Sequence, residues 1–166
     1  MGEDMTVLTN RAAYRSTGLA RSLEPSLLSR LPQRGTPARV TVEIDRPERF
    51  AWLEATLVRV DELMSLGKNW DSYGAYPVSG DAAASLLSLL LPLLPEAAEP
   101  PFLVPTPTGG IQASWDGYGH EVEVVIESGQ DVSVYYAHEG AEEEFYLGSS
   151  EAMSRLVQAL GTTTAA

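Results

Sequence analysis

The densest run of chemically capable side chains is Asn69-Trp70-Asp71-Ser72-Tyr73-Gly74-Ala75-Tyr76-Pro77. A carboxylate set among an indole and two phenols could hold a small ligand or peptide by stacking and a charge-assisted hydrogen bond. The same residue types also build a loop unaided. Asp71 can accept nearby backbone amides in an Asx turn, Gly74 admits positive φ, and Pro77 leads into the next element. A near-echo, Trp115-Asp116-Gly117-Tyr118-Gly119, also fits W-D-x-Y-G. The two contexts differ, helix-to-helix in the first and strand-to-strand in the second, so they read as two solutions to turn chemistry and not as a duplication.

Carboxylates offer a second possibility. Glu121, Glu123 and Glu127 share one strand parity, and Asp71 is a candidate neighbour. Acid–base catalysis needs a pocket that raises one carboxyl pKa, whereas an outward row of glutamates predicts contact with water. Metal chemistry has little to work with. Cys is absent, and only His120 and His138 supply imidazole, both in predicted turns. Glu142-Glu143-Glu144 with Asp131 and Glu139 lacks the spacing of a calcium loop and reads as a charged strand edge that discourages edge-to-edge pairing. A nucleophile elbow, a Walker A loop, a dinucleotide fingerprint and H-E-x-x-H are all missing. No catalytic residue, no metal and no cofactor is expected. The candidate ligand or partner-binding set is Asn69, Trp70, Asp71, Tyr73, Tyr76, Trp115, Tyr118, Glu121 and Glu123.

These side chains need elements to hold them. Val40, Val42 and Ile44 alternate with polar residues over 38–45, the period of a half-buried strand. Asp45 is a candidate helix N-cap, followed by Pro47 and Glu48 in a first turn. Phe50, Leu53, Leu57, Val60 and Met64 then form one helical stripe, with Gly67 as its stop. A second helix is expected after Ser79, carrying Ala83, Leu86, Leu87, Leu90 and Leu94 and ending at Pro92 or Pro95. Residues 95–110 are a proline-rich connection in which Phe102-Leu103-Val104 predicts a short edge strand.

Next comes a meander. Ile111, Ala113 and Trp115 alternate with Gln112, Ser114 and Asp116; Val122, Val124 and Ile126 point inward between glutamates; Val132, Val134 and Tyr136 follow, then a strand over 144–147. Glycine turns near 117–119, 129–131 and 138–140 make these strands antiparallel neighbours. Ser149 or Ser150 caps a last helix with Met153, Leu156, Val157 and Leu160 as its apolar side and Gly161 at its end. The expected fold class is α+β, an antiparallel sheet of four to five strands with two or three helices packed on one face.

Length and charge frame the organisation. At 166 residues, one domain is expected over 38–161, with 1–37 a flexible or partner-dependent leader and 162–166 a disordered tail. The net charge of −12 is uneven: residues 69–166 hold one base, Arg155, against fourteen acids. Such a surface repels phosphate backbones and favours basic protein partners. Arg11, Arg15, Arg21, Arg30 and Arg34 sit in the leader, where 17–31 could form a short amphipathic helix. Five arginines so widely spaced make a thin footprint for nucleic acid, so that partner is not expected except through residues 1–37. The longest greasy run, 86–94, is far below the about 20 residues of a membrane span. Met1-Gly2-Glu3-Asp4 lacks the basic start of a secretory signal, and the expected location is cytoplasmic.

The string Leu66-Gly67-Lys68-Asn69-Trp70-Asp71-Ser72-Tyr73-Gly74-Ala75, then Pro105-Thr106 and Gly109-Gly110-Ile111-Gln112 followed by Trp115, resembles a group of small uncharacterised bacterial proteins. These share an N-W-D-[GS]-Y-G-A motif and a G-G-[IL]-x-x-x-W strand. The resemblance spans about residues 50–136. It implies a genuine domain there, and implies no activity and no catalytic residue.

The expected function is therefore a non-catalytic, acidic protein-interaction module (an adaptor, small chaperone or toxin-neutralising partner) that binds a basic surface. The alternative is a small-ligand-binding or hydrolytic domain using the aromatic loop at 69–77. A third reading is a nucleic-acid-linked regulator acting through the Arg-bearing arm.

Overall fold

A computed structural model describes the backbone of residues 6–9, 39–42, 44, 46–127 and 131–164, and the side chains of 44, 46–127 and 131–161. Strands β1 (Thr6–Thr9) and β2 (Arg39–Val42) pair antiparallel, with Thr6 opposite Val42. Of the strand expected over 38–45, Arg39–Val42 is present, paired with a segment inside the expected leader. The rest of the Arg-bearing arm, and Asp45 with its expected cap, lie outside the described residues.

The first long helix starts later than the periodicity suggests. Pro47–Arg49 forms a separate 3-10 turn, entered through Arg46 in the left-handed region (φ 54). Phe50 is then extended (φ −97, ψ 99), which interrupts the helical dihedrals, and helix α1 runs Leu53–Met64. Phe50 still belongs to the apolar stripe: its ring meets Trp52 edge-on, centroids 5.7 Å apart. Trp52 is fully buried and donates Nε1–H to the Pro95 carbonyl at 3.1 Å, while the Ala51 amide reaches Glu96 O at 2.8 Å. An Arg49–Glu96 ion pair closes the same junction.

Helix α2 (Gly80–Leu93) begins where Ser79 Oγ accepts the Ala82 amide at 3.0 Å. Pro92 is accommodated inside its last turn, and the helix ends one residue later. Leu94 is already extended (ψ 135), the conformation that the ring of Pro95 imposes on the residue before it. Ala82, Ala83, Leu86, Leu87 and Leu90 are all buried, on more than one side of the helix.

Five strands follow in a simple antiparallel meander: β3 (Phe102–Pro105), β4 (Ile111–Gly117), β5 (His120–Ile126), β6 (Val132–His138) and β7 (Ala141–Tyr146). The tight hairpins turn on Tyr118-Gly119 (φ 54 and 77) and Glu139-Gly140 (φ 50 and 82). Both central residues have positive φ, the geometry whose twist matches paired strands. One register row, Leu103–Ala113–Val124–Val134–Phe145, crosses the whole sheet on its inner face. The first four of these are buried.

Helix α3 (Ser150–Thr164) starts with Ser149 Oγ accepting the Ala152 amide at 3.1 Å. Its buried side is Ala152, Leu156, Ala159 and Leu160, whereas Met153 and Val157 face water. The expected apolar side was therefore rotated by one position. Gly161 does not end the helix either; glycine in a helix costs only about 1 kcal/mol, and the backbone continues to Thr164. The architecture is α+β: α2 and α3 lie against β4 and β5, and α1 flanks β3. Among the described residues no helix covers the other face of the sheet.

Candidate functional site

The aromatic loop between α1 and α2 holds itself together. Asp71 Oδ1 accepts the amides of Tyr73 (2.8 Å) and Ala75 (3.0 Å), and Asn69 Oδ1 accepts that of Gly74 (2.7 Å). Trp70 donates Nε1–H to Tyr76 O at 3.0 Å, and the Asn69 amide closes on Ala75 O at 2.7 Å. Amide bonds from Ala75 and then Tyr73 hold the Asp71 carboxyl below its ordinary pKa. Asn69, Ser72 and Gly74 all carry positive φ (65, 68 and 99). Tyr73 is 94% exposed, and Lys68 Nζ stands 5.9 Å from the Tyr76 ring centre. The polar atoms that could have bound a ligand are largely spent on the loop.

This loop is bolted to the turn before β4. The Tyr76 amide bonds Pro107 O at 2.9 Å, and the Ser79 amide bonds Gly109 O at 2.8 Å. Trp115 and Tyr118 stand near the opposite end of β4. Trp115 lies four residue steps, roughly 13 Å, along β4 from Ile111, and Tyr118 lies beyond the far end of that strand. Trp115 is 6% exposed on the inner face, and its Nε1 has no hydrogen-bond partner among the described residues. Tyr118 is an exposed turn residue.

Glu121 and Glu123 fall instead on the open face of the sheet. Strand register arranges that face in three rows. The first is Asp116–Glu121–Ala137–Glu142, the second Phe102–Ser114–Glu123–Tyr135–Glu144, the third Val104–Gln112–Val125–Ser133–Tyr146. Glu123 accepts from Gln112 Nε2 at 2.8 Å. Partial burial, and then the like charge of Glu121, raise the Glu123 carboxyl above its ordinary pKa against the opposing pull of that bond. Desolvation, then Glu142 and Glu121, push the Tyr135 phenol up as well. Residue-type reasoning picked out two members of this surface and missed Phe102, Val104, Val125, Tyr135, Tyr146 and the partnership of Gln112. Odd–even parity, carried across every strand once the hairpins are aligned, is the signal that finds them.

Glu127 leaves this set. It turns to the Thr106 and Thr108 hydroxyls in the β3–β4 turn. The histidines also differ from their expected place in the turns. His120 and His138 are strand residues directly opposite one another, rings parallel with centroids 3.7 Å apart, and His120 Nδ1 meets Tyr136 Oη at 2.7 Å. Among the described residues no group of three or more His, Asp or Glu is placed to hold a metal ion, and no helix is long and apolar enough to cross a membrane. No protein family matches this chain, and no curated protein or solved structure matches it either.

Proposed function

We propose that this protein is a non-catalytic interaction module whose open sheet face docks a basic protein surface, as an adaptor, small chaperone or toxin-neutralising partner does. One observation carries the reading. The charged residues on that face (Asp116, Glu121, Glu123, Glu142 and Glu144) are all acidic, and no base shares it among the described residues. Adjacent rows lie about 7 Å apart, within a Debye length at physiological salt, so their fields add. Phosphate backbones and anionic membranes are repelled by such a surface, and the Arg-bearing segment that would argue for nucleic acid lies outside the described residues. Burial, and after it the like charge of Glu121, raise the Glu123 carboxyl, and a counter-charge would relieve the second of these. The alternative centred on 69–77 is weakened by the self-satisfied bonds of Asn69, Trp70 and Asp71.

The test is a titration of the full chain with fluorescent decalysine at rising salt. The triple variant Glu121→Lys, Glu142→Lys, Glu144→Lys is compared with Glu48→Lys, Glu54→Lys, Glu99→Lys, which changes net charge equally at exposed positions away from the sheet face. At least a tenfold loss confined to the first variant supports the reading. Equal losses in both would reduce it to a diffuse field with no docking surface.

A further inference from the structure

The three rows of the open face differ in kind, and the difference runs along the strands. The row nearest the β4–β5 and β6–β7 hairpins holds three carboxylates and Ala137. The middle row mixes Glu123 and Glu144 with Phe102 and Tyr135. The far row has no charge, and combines Val104, Val125 and Tyr146 with Gln112 and Ser133. Phe102 is 68% exposed and Tyr146 69% exposed, while Val104, Val125 and Tyr135 are only half-buried by their sheet neighbours. Exposed aromatics beside half-bare valines on one uncovered face make an unfinished layer. A uniformly basic partner surface would leave that apolar end unmatched.

Building on the docking role proposed above, we infer that the occupant is a basic amphipathic helix of a partner protein, lying along the strands. Its cationic turn sits over Glu121, with Asp116 and Glu142 to either side, and its apolar turn over Val125, flanked by Val104 and Tyr146 on the edge strands. Dimensions agree. Three rows span roughly 13 Å of strand, which about nine helical residues cover at 1.5 Å each. Five strands present a width of roughly 19 Å, enough to seat one helix of about 10 Å diameter centrally. Helices already cover the inner face, so the bound state is a three-layer sandwich. Charge sets the direction: the reversed helix would place ammonium groups over valines and leave carboxylates facing leucines, a desolvation cost without a partner.

The experiment uses the full chain and three fluorescein-labelled 12-residue peptides, read by anisotropy. The graded peptide carries lysines in its first turn and a leucine face after it. The shuffled peptide has the same composition with lysines spread evenly and no apolar face. The third replaces each lysine of the graded peptide by glutamate. At least tenfold tighter binding of the graded over the shuffled peptide, and none of the glutamate peptide, is expected. Tyr146→Ser and the strand-preserving Val125→Thr should each weaken the graded peptide at least threefold while leaving the shuffled one unchanged. Equal binding of graded and shuffled peptides overturns the helix and leaves the acidic docking face standing; no binding of either peptide overturns both. A tenfold gain for the graded peptide when Arg21, Arg30 and Arg34 are replaced by serine also overturns a partner as the occupant, because it assigns the face to this chain's own arginine segment.

Discussion

Gly110 lies directly beneath the Ile126 carbonyl: a Cβ built on Gly110 would stand 2.3 Å from that oxygen and 2.9 Å from Thr106 Oγ1. The contact is where β4 begins, where the Thr106 hydroxyl accepts the Gly110 amide at 2.9 Å, and next to the turn that anchors the 69–77 loop through Pro107 and Ser79 through Gly109. Both neighbours are held, one by backbone pairing and one by its own hydrogen bonds, so neither can retreat. Gly110→Ala should destabilise the fold by about 1–3 kcal/mol, the usual cost of overpacking, lowering Tm by several degrees. An alanine variant with unchanged Tm would mean that the strand is not this close.

Asp71 gives a prediction with a pH sign. Its folded pKa lies below the ordinary value of 3.8 because the Ala75 and Tyr73 amides donate to the carboxylate. A depressed acid stabilises the folded state above its unfolded pKa and loses that contribution as pH falls through the folded value. The wild type should therefore exceed Asp71→Ala in urea midpoint at pH 6, and the gap should close as pH falls below about 4. The comparison is a pair of urea curves at each pH. A gap independent of pH would show that the side chain's shape, and not its charge, holds the loop.

Strand parity was legible because a sheet converts it directly into burial. Ile111, Ala113, Trp115, Val122, Val124 and Ile126 turn inward as their alternation requires, and all are buried. The last helix was harder. Met153 and Val157 look apolar enough to be core, yet Ala152 and Ala159 face the sheet, since small side chains allow a close approach and periodicity weighs them lightly. The anchoring of the aromatic loop left no trace in composition. It is made by backbone bonds from Tyr76 to Pro107 and from Ser79 to Gly109, and a backbone bond between distant segments has no side-chain signature. The open face was half legible: the glutamates announced themselves, while the apolar row beside them emerges only when five strands are set in register.

The two buried tryptophans should respond differently to the same substitution. Trp52 is fully buried and donates to Pro95 O, whereas the Trp115 indole N–H has no partner among the described residues. Trp52→Phe removes a large part of the ring and orphans an acceptor, which together cost about 2–4 kcal/mol. Trp115→Phe loses packing but also removes an unsatisfied donor, and the two effects oppose each other. Its cost should be at most half that of Trp52→Phe, measured as ΔΔG by urea unfolding. Equal costs would indicate that Trp115 Nε1 is satisfied in solution, for instance by water.

Glu123 carries the opposite sign to Asp71. Burial, then the neighbouring Glu121, raise its folded pKa above the ordinary 4.5, with Gln112 opposing. A raised acid penalises the folded state above the folded pKa, and the penalty disappears as pH falls below the unfolded value. Glu123→Gln should therefore be more stable than wild type at pH 7, while keeping an oxygen for the Gln112 donor. The advantage should vanish by about pH 4, when the wild-type carboxyl has taken up its proton. Saturating decalysine should reduce it at pH 7 without erasing it, because a counter-charge on the face offsets the repulsion from Glu121 and leaves the larger contribution, burial, in place. Thermal melts of both proteins at pH 4 and 7, with and without the peptide, make the comparison. A Glu123→Gln variant less stable than wild type at pH 7 would mean that the Gln112 bond outweighs burial and the Glu121 charge together.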